Sequence, residues 1–143
     1  RILRSGKPLP EERESMFWLN IKGIPAMDSA PDKNMVQFAI NSRIKLIFRP
    51  AALKNAIPEK FAEKLQWSAE GRDIKVKNPS PLYMNFSDIT VNGKSVPEAW
   101  FVAPFSTIKI PVANTSSPGK KKITWSVIND YGMPGPKYTA IIQ

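Results

Sequence analysis

The stretch Met35–Pro50, MVQFAINSRIKLIFRP, constrains this chain more than any other. Val36, Phe38 and Ile40 alternate with Gln37, Ala39 and Asn41, the period-two pattern that sets one row of side chains on one face of a β-strand. The same parity runs on through Ile44, Leu46 and Phe48, whereas Lys45 and Arg49 interrupt the opposite face. Pro50 stops the ladder because it has no N–H to donate. Burial of each such apolar side chain is worth about 1.5–3 kcal/mol, so the row needs a partner surface. That surface is either the chain's own core or another protein.

Upstream, Ser15–Ile24 places Phe17, Leu19 and Ile21 on one face and Met16 and Trp18 on the other, which predicts a strand ending at Pro25. Ala26–Asn34 is rich in turn formers, so this strand and Met35–Arg49 form a hairpin. Ala51–Glu63 is alanine- and lysine-rich and reads as the linker, with a short helical turn over Pro58–Lys64, where proline suits the first helical position. Short strands follow at Leu65–Ser68, Asp73–Lys77, Leu82–Thr90, Ala99–Val102, Ser106–Val112, Lys122–Ile128 and Lys137–Ile142. In the third of these, Leu82, Met84 and Phe86 oppose Tyr83, Asn85, Ser87 and Ile89, and Asn92-Gly93 predicts a type I′ turn after it. Strands this short, punctuated by 14 prolines, predict an all-β sandwich.

The chain has neither histidine nor cysteine. Disulfides, thiolate metal sites, thiol catalysis and the commonest general base are therefore excluded, and no catalytic residue or metal site is assigned. A carboxylate glycosidase needs two acids converging in a cleft, and no such pair stands out; Glu11 and Glu12 read as solvated loop residues. The net charge of +9 favours an anionic partner. The alternative function it suggests is a basic β-sandwich that binds nucleic acid or another anionic ligand. Against that, the basic residues are scattered, and the one run, Lys120–Lys122 after Ser116-Ser117-Pro118-Gly119, reads as a solvated turn. Trp67, Trp100 and Trp125 are expected in the core or rim of the sandwich.

Five segments together resemble the PapD-like periplasmic pilus-assembly chaperones: LPEERESMFWLNIKGIP (Leu9–Pro25), INSRIKLIFRPAAL (Ile40–Leu53), NPSPLYMNFSDITVNGK (Asn78–Lys94), VAPFST (Val102–Thr107) and INDYG (Ile128–Gly132). The resemblance follows the right order over nearly the whole chain. It implies two immunoglobulin-like β-sandwiches set at an angle, the first represented here only by its last two strands: residues 1–50 as the C-terminal hairpin of the first domain and 51–143 as the second. The earlier strands would then be absent from a fragment, or supplied as a separate chain. The short Ala26–Asn34 loop and the lack of cysteine resemble the family's short-loop branch.

The resemblance also implies a mechanism. The chain would act as a periplasmic chaperone that binds and folds pilus subunits by donor-strand complementation, without cofactor, ATP, enzymatic step or nucleic-acid partner, and deliver them to an outer-membrane usher. Carried over by position, Val36, Phe38 and Ile40 insert into the subunit, and Lys45 holds its C-terminal carboxylate. Parity sets Lys45 opposite Val36–Ile40 unless a bulge intervenes. Glu14, Arg49 and Asp130 match an ionic network between the two domains. An exposed strand edge with apolar side chains also leaves empty copies prone to self-association.

Overall fold

The computed structural model describes residues 2–24, 26, 36, 38–112 and 119–143. The chain divides into two compact units, Ser15–Phe48 and Arg1–Glu14 with Arg49–Gln143.

The smaller unit is an antiparallel hairpin of β1 (Ser15–Gly23) and β2 (Ile40–Phe48). Its register runs unbroken from Ser15 opposite Phe48 to Gly23 opposite Ile40. The strand expected from Met35 begins only at Ile40, because β1 ends at Gly23 and offers no ladder beyond it; Val36, Phe38 and Ala39 lie outside any strand. Met35, Gln37 and most of the Ala26–Asn34 loop lie outside the described residues, and the loop-length comparison with them.

The larger unit is the expected two-sheet sandwich. A turn of 3-10 helix (Ala51–Leu53) and the short α1 (Pro58–Ala62) lead into it, with Pro58 at the start of the helix as expected. One sheet orders β3 (Gln66–Glu70), β4 (Asp73–Lys77) and β8 (Thr107–Ile110). The other orders β10 (Tyr138–Ile142), β9 (Lys121–Val127), β5 (Met84–Val91) and β6 (Lys94–Ser95), with β7 (Phe101–Val102) also pairing β5. Asn92 and Gly93 carry φ of 51° and 80° between β5 and β6, the left-handed pair that a type I′ turn demands.

Ile74, Val76, Leu82, Met84, Val91 and Ile123 form the centre of the core, and Trp125 fills one end, donating its indole N–H to Ala62 O at 3.0 Å. Trp67 stacks at a tilt between Phe86 and Trp125, and Trp100 lies at the rim. Two sequence expectations are corrected here. A bulge between Phe86 and Asp88 inserts Ser87 and reverses the parity of β5, so Ile89 turns inward with Phe86 instead of away from it. Lys121, read as part of a solvated run, is buried: its stem lies along the sandwich and its ammonium reaches Gly71 O at 3.4 Å. Residues 116–118 of that turn lie outside the described residues.

Candidate functional site

The hairpin sets all its basic side chains on one face, where they share space with Met16, Trp18 and Ile47. Cross-strand partners share a face in an antiparallel pair. Phe17 with Leu46, Leu19 with Ile44, and Gly23 with Ile40 therefore make one face, and Met16 with Ile47, Trp18 with Lys45, and Asn20 with Arg43 make the other. With no bulge in the ladder, Ile40 and Lys45 point to opposite faces. Val36, Phe38 and Ile40 are 76%, 75% and 68% exposed. They therefore do not bury against the chain's own core. The Lys45 ammonium stands 5.8 Å from the Trp18 ring centroid, and burial pushes its pKa below the ordinary lysine value. Arg43 Cζ lies over the same ring at 4.1 Å, a contact that alternation alone did not suggest, since the reading of β1 stopped at which face Trp18 occupies.

In the larger unit, Glu14, Arg49 and Asp130 meet in one cluster. Arg49 Nε donates to Glu14 Oε1 at 2.7 Å, and its two terminal nitrogens grip Asp130 through a fork of 2.6 and 2.7 Å. Arg49 Nη1 also donates to Ala56 O at 3.1 Å, and the Tyr83 N–H donates to Glu14 Oε2 at 2.7 Å. The hydrogen bonds to Asp130 hold the Arg49 pKa above its ordinary value, opposed by desolvation and helped by Glu14. Glu14 is buried, and its backbone N–H is taken by Pro81 O. A carboxylate so enclosed, with a charged donor on one oxygen and a neutral donor on the other, organises structure and is closed off from a substrate by burial.

A second polar knot escaped the sequence reading. Asn78 donates from its amide to Leu82 O at 2.7 Å and Ala103 O at 3.0 Å, and accepts from the Ser80 backbone and hydroxyl at 3.0 and 2.7 Å. The Asn-Pro-Ser-Pro sequence was its signal, because an Asn side chain closing on the backbone two residues on is an Asx-turn. Among the described residues no group of acids, histidines or cysteines is arranged to hold a metal ion.

Comparison with known proteins gives two family matches along the chain. The family model described as the C-terminal domain of the pili assembly chaperone PapD matches residues 60–139, and the one described as pili and flagellar-assembly chaperone, PapD N-terminal domain, matches residues 1–54. Chaperone protein FimC of Escherichia coli K12 is 40% identical over 147 residues, covering 100% of this chain and 58% of FimC. Chaperone protein caf1M of Yersinia pestis is 38% identical over 148 residues, covering 92% of this chain and 56% of its own length. The chain thus spans a little over half the length of these relatives. Among solved structures, the Salmonella enterica SafA pilin in complex with the SafB chaperone matches with a TM-score of 0.85 at 33% identity, over 97% of this chain and 64% of the matched one. The Escherichia coli chaperone DraB matches at 0.80 and 37%, over 98% and 64%.

Proposed function

The chain belongs to the PapD family of pilus-assembly chaperones, with the family's immunoglobulin-like fold, and on that premise we propose that it binds and folds pilus subunits in the periplasm by lending them a strand. The observation that carries this reading is the exposure of the alternating residues Val36, Phe38 and Ile40 at the entry to β2. A subunit sheet lacking one strand gains its ladder from the chaperone backbone, and the apolar side chains fill its open groove. Backbone hydrogen bonds give affinity for many sequences. Register comes from the side chains, since a slip of one residue turns all of them away.

Lys45 then anchors the subunit's terminal carboxylate. Its position on the face opposite Ile40 separates the two tasks: apolar insertion on one side of the strand, charge capture on the other. Glu14, Arg49 and Asp130 serve as the interdomain ionic network, structural in role, with residues 1–50 contributed to the first domain and 51–143 forming the second. The matched spans 1–54 and 60–139 support that division. The SafA–SafB complex, a pilin held by its chaperone, supports a pilus subunit as the partner. Delivery to an outer-membrane usher and self-association of empty copies through the β2 edge belong to the same reading. It calls for neither cofactor nor catalytic residue.

The test is subunit capture. A denatured pilin diluted into buffer with this chain should stay soluble and elute with it as one complex, and Ile40→Glu, which puts a charge into the apolar groove, should abolish the complex. Capture that survives Ile40→Glu and Phe38→Glu alike would sink strand donation.

A further inference from the structure

All three cations of the paired strands lie on one face. Lys22, Arg43 and Lys45 share it with Trp18, Asn20 and Asn41, and neither strand contains a carboxylate. Arg43 and Lys22 have no acidic partner among the described residues. Trp18, itself 43% exposed, supports Arg43 from beneath at 4.1 Å. A guanidinium laid on an indole is held in place by its flat side while its in-plane N–H groups stay open, and that fork matches a carboxylate.

Resting on the strand-donation reading, we propose that this face selects clients whose pairing strand carries a carboxylate side chain beside Arg43, with Trp18 as the plate that aims the guanidinium. The argument is geometric. β2 has β1 along one edge, and a client strand added along the other would send alternate side chains to the same two faces. Those on the Ile40 face meet apolar neighbours. Those on the Lys22–Arg43–Lys45 face become cross-strand neighbours of cations with Cβ atoms about 4.5–5.5 Å apart, where opposite charge is favourable and like charge is not. Whichever way the client strand runs, the side chain beside Arg43 lies two positions from the one beside Lys45, so the anchor for a chain terminus and the reader of an acidic side chain work on one strand at once. The client strand implied is apolar on one face and acidic on the other.

The experiment uses the full chain and two dye-labelled synthetic peptides of alternating valine and polar residues, both C-terminally amidated, with glutamate at the polar positions of one and glutamine in the other. Fluorescence anisotropy should show the glutamate peptide binding about fivefold tighter at low ionic strength, with the gap closing as salt rises. Arg43→Gln should cut the gap to about half, since Lys45 still faces a glutamate two positions away, and leave the glutamine peptide's affinity unchanged; Trp18→Leu should narrow it less. Equal affinities for the two peptides, or a gap that Arg43→Gln leaves undiminished, would overturn the selection of acidic strands while strand donation stands. Failure of both peptides to bind would overturn strand donation itself, and this inference with it.

Discussion

Glu14 and Arg49 meet at 2.7 Å across 35 positions of sequence, and the second oxygen of the same carboxylate accepts the Tyr83 N–H. One buried side chain thus ties the segment before β1 both to the residue that follows β2 and to the strand region entering β5. Its charge is tolerated there because both oxygens are satisfied and one donor is a cation. Asp130, on the other side of the guanidinium, is half exposed and, among the described residues, is held only by the fork from Arg49.

The two carboxylates should therefore differ in what they contribute to stability. Glu14→Ala leaves a half-buried guanidinium nitrogen and a backbone N–H without acceptors, and should cost about 2–3 kcal/mol. Asp130→Asn, at the wet end of the cluster, should cost about 1 kcal/mol or less. Urea unfolding followed by tryptophan fluorescence reads both. Equal losses would show that the cluster does not distinguish its buried member from its exposed one.

Asn78 offers a second stability test, in the loop between β4 and β5. Its side chain is wholly buried and satisfies two carbonyls and two Ser80 donors at once. Asn78→Ala strands several of these groups, each at about 1–3 kcal/mol, so a midpoint shift larger than that of Asp130→Asn is expected in the same urea experiment. Ser80→Ala removes one donor to Asn78 and the acceptor of the Leu82 N–H, and should fall between the two. A wild-type midpoint for Asn78→Ala would mean that the loop rearranges and the knot has no structural weight.

How far these features could be read from sequence depends on the range of the forces behind them. β1 and β4 follow directly from alternation and turn residues, as does the Asn92-Gly93 hairpin, because each is decided within a few residues. β2 starts later than its alternation implies because alternation belongs to side chains, whereas a strand needs a ladder, and the ladder ends where Gly23 does. The inward turn of Ile89 was invisible because one extra residue at Ser87 reverses parity, and nothing local marks a bulge. Lys121 was misjudged by charge alone, although its long stem lets a buried position keep a polar tip. Arg49 and Asp130 lie 81 positions apart, beyond any periodicity, and only the family resemblance singled them out.

Alkaline pH should expose the role of Tyr138. Its hydroxyl donates to Glu59 O at 2.9 Å, and burial, with the nearby Glu63 and Glu59 charges, raises its pKa above the ordinary 10.0. A raised phenol favours its neutral form in the folded state. The stability it contributes is fully present below pH 10.0 and is lost as pH climbs through the folded value above it. Relative to Tyr138→Phe, the wild type should therefore lose stability more steeply above that point and run parallel to it at neutral pH. Thermal melts of both proteins across this range supply the comparison. Profiles that stay parallel throughout would show that the phenol titrates alike in the folded and unfolded chains.

Lys45 should separate function from stability. Burial depresses its pKa, so the charged ammonium is disfavoured in the folded state below that depressed value, and the penalty disappears as pH rises through the ordinary 10.5. At neutral pH, Lys45→Met removes the penalty and keeps a stem of similar length against Trp18, so hydrogen-exchange protection along the β1–β2 ladder should hold or rise. Client binding should move the other way. For the wild type, amidating the C-terminus of a pilus subunit should weaken binding by about tenfold, the loss expected of a charge-assisted contact. For Lys45→Met, the free-acid and amidated subunits should bind equally, and both should match the amidated subunit on the wild type. If amidation costs the same on both proteins, the terminal carboxylate is held elsewhere. If ladder protection collapses in Lys45→Met together with binding, the residue supports the hairpin and does not capture the client.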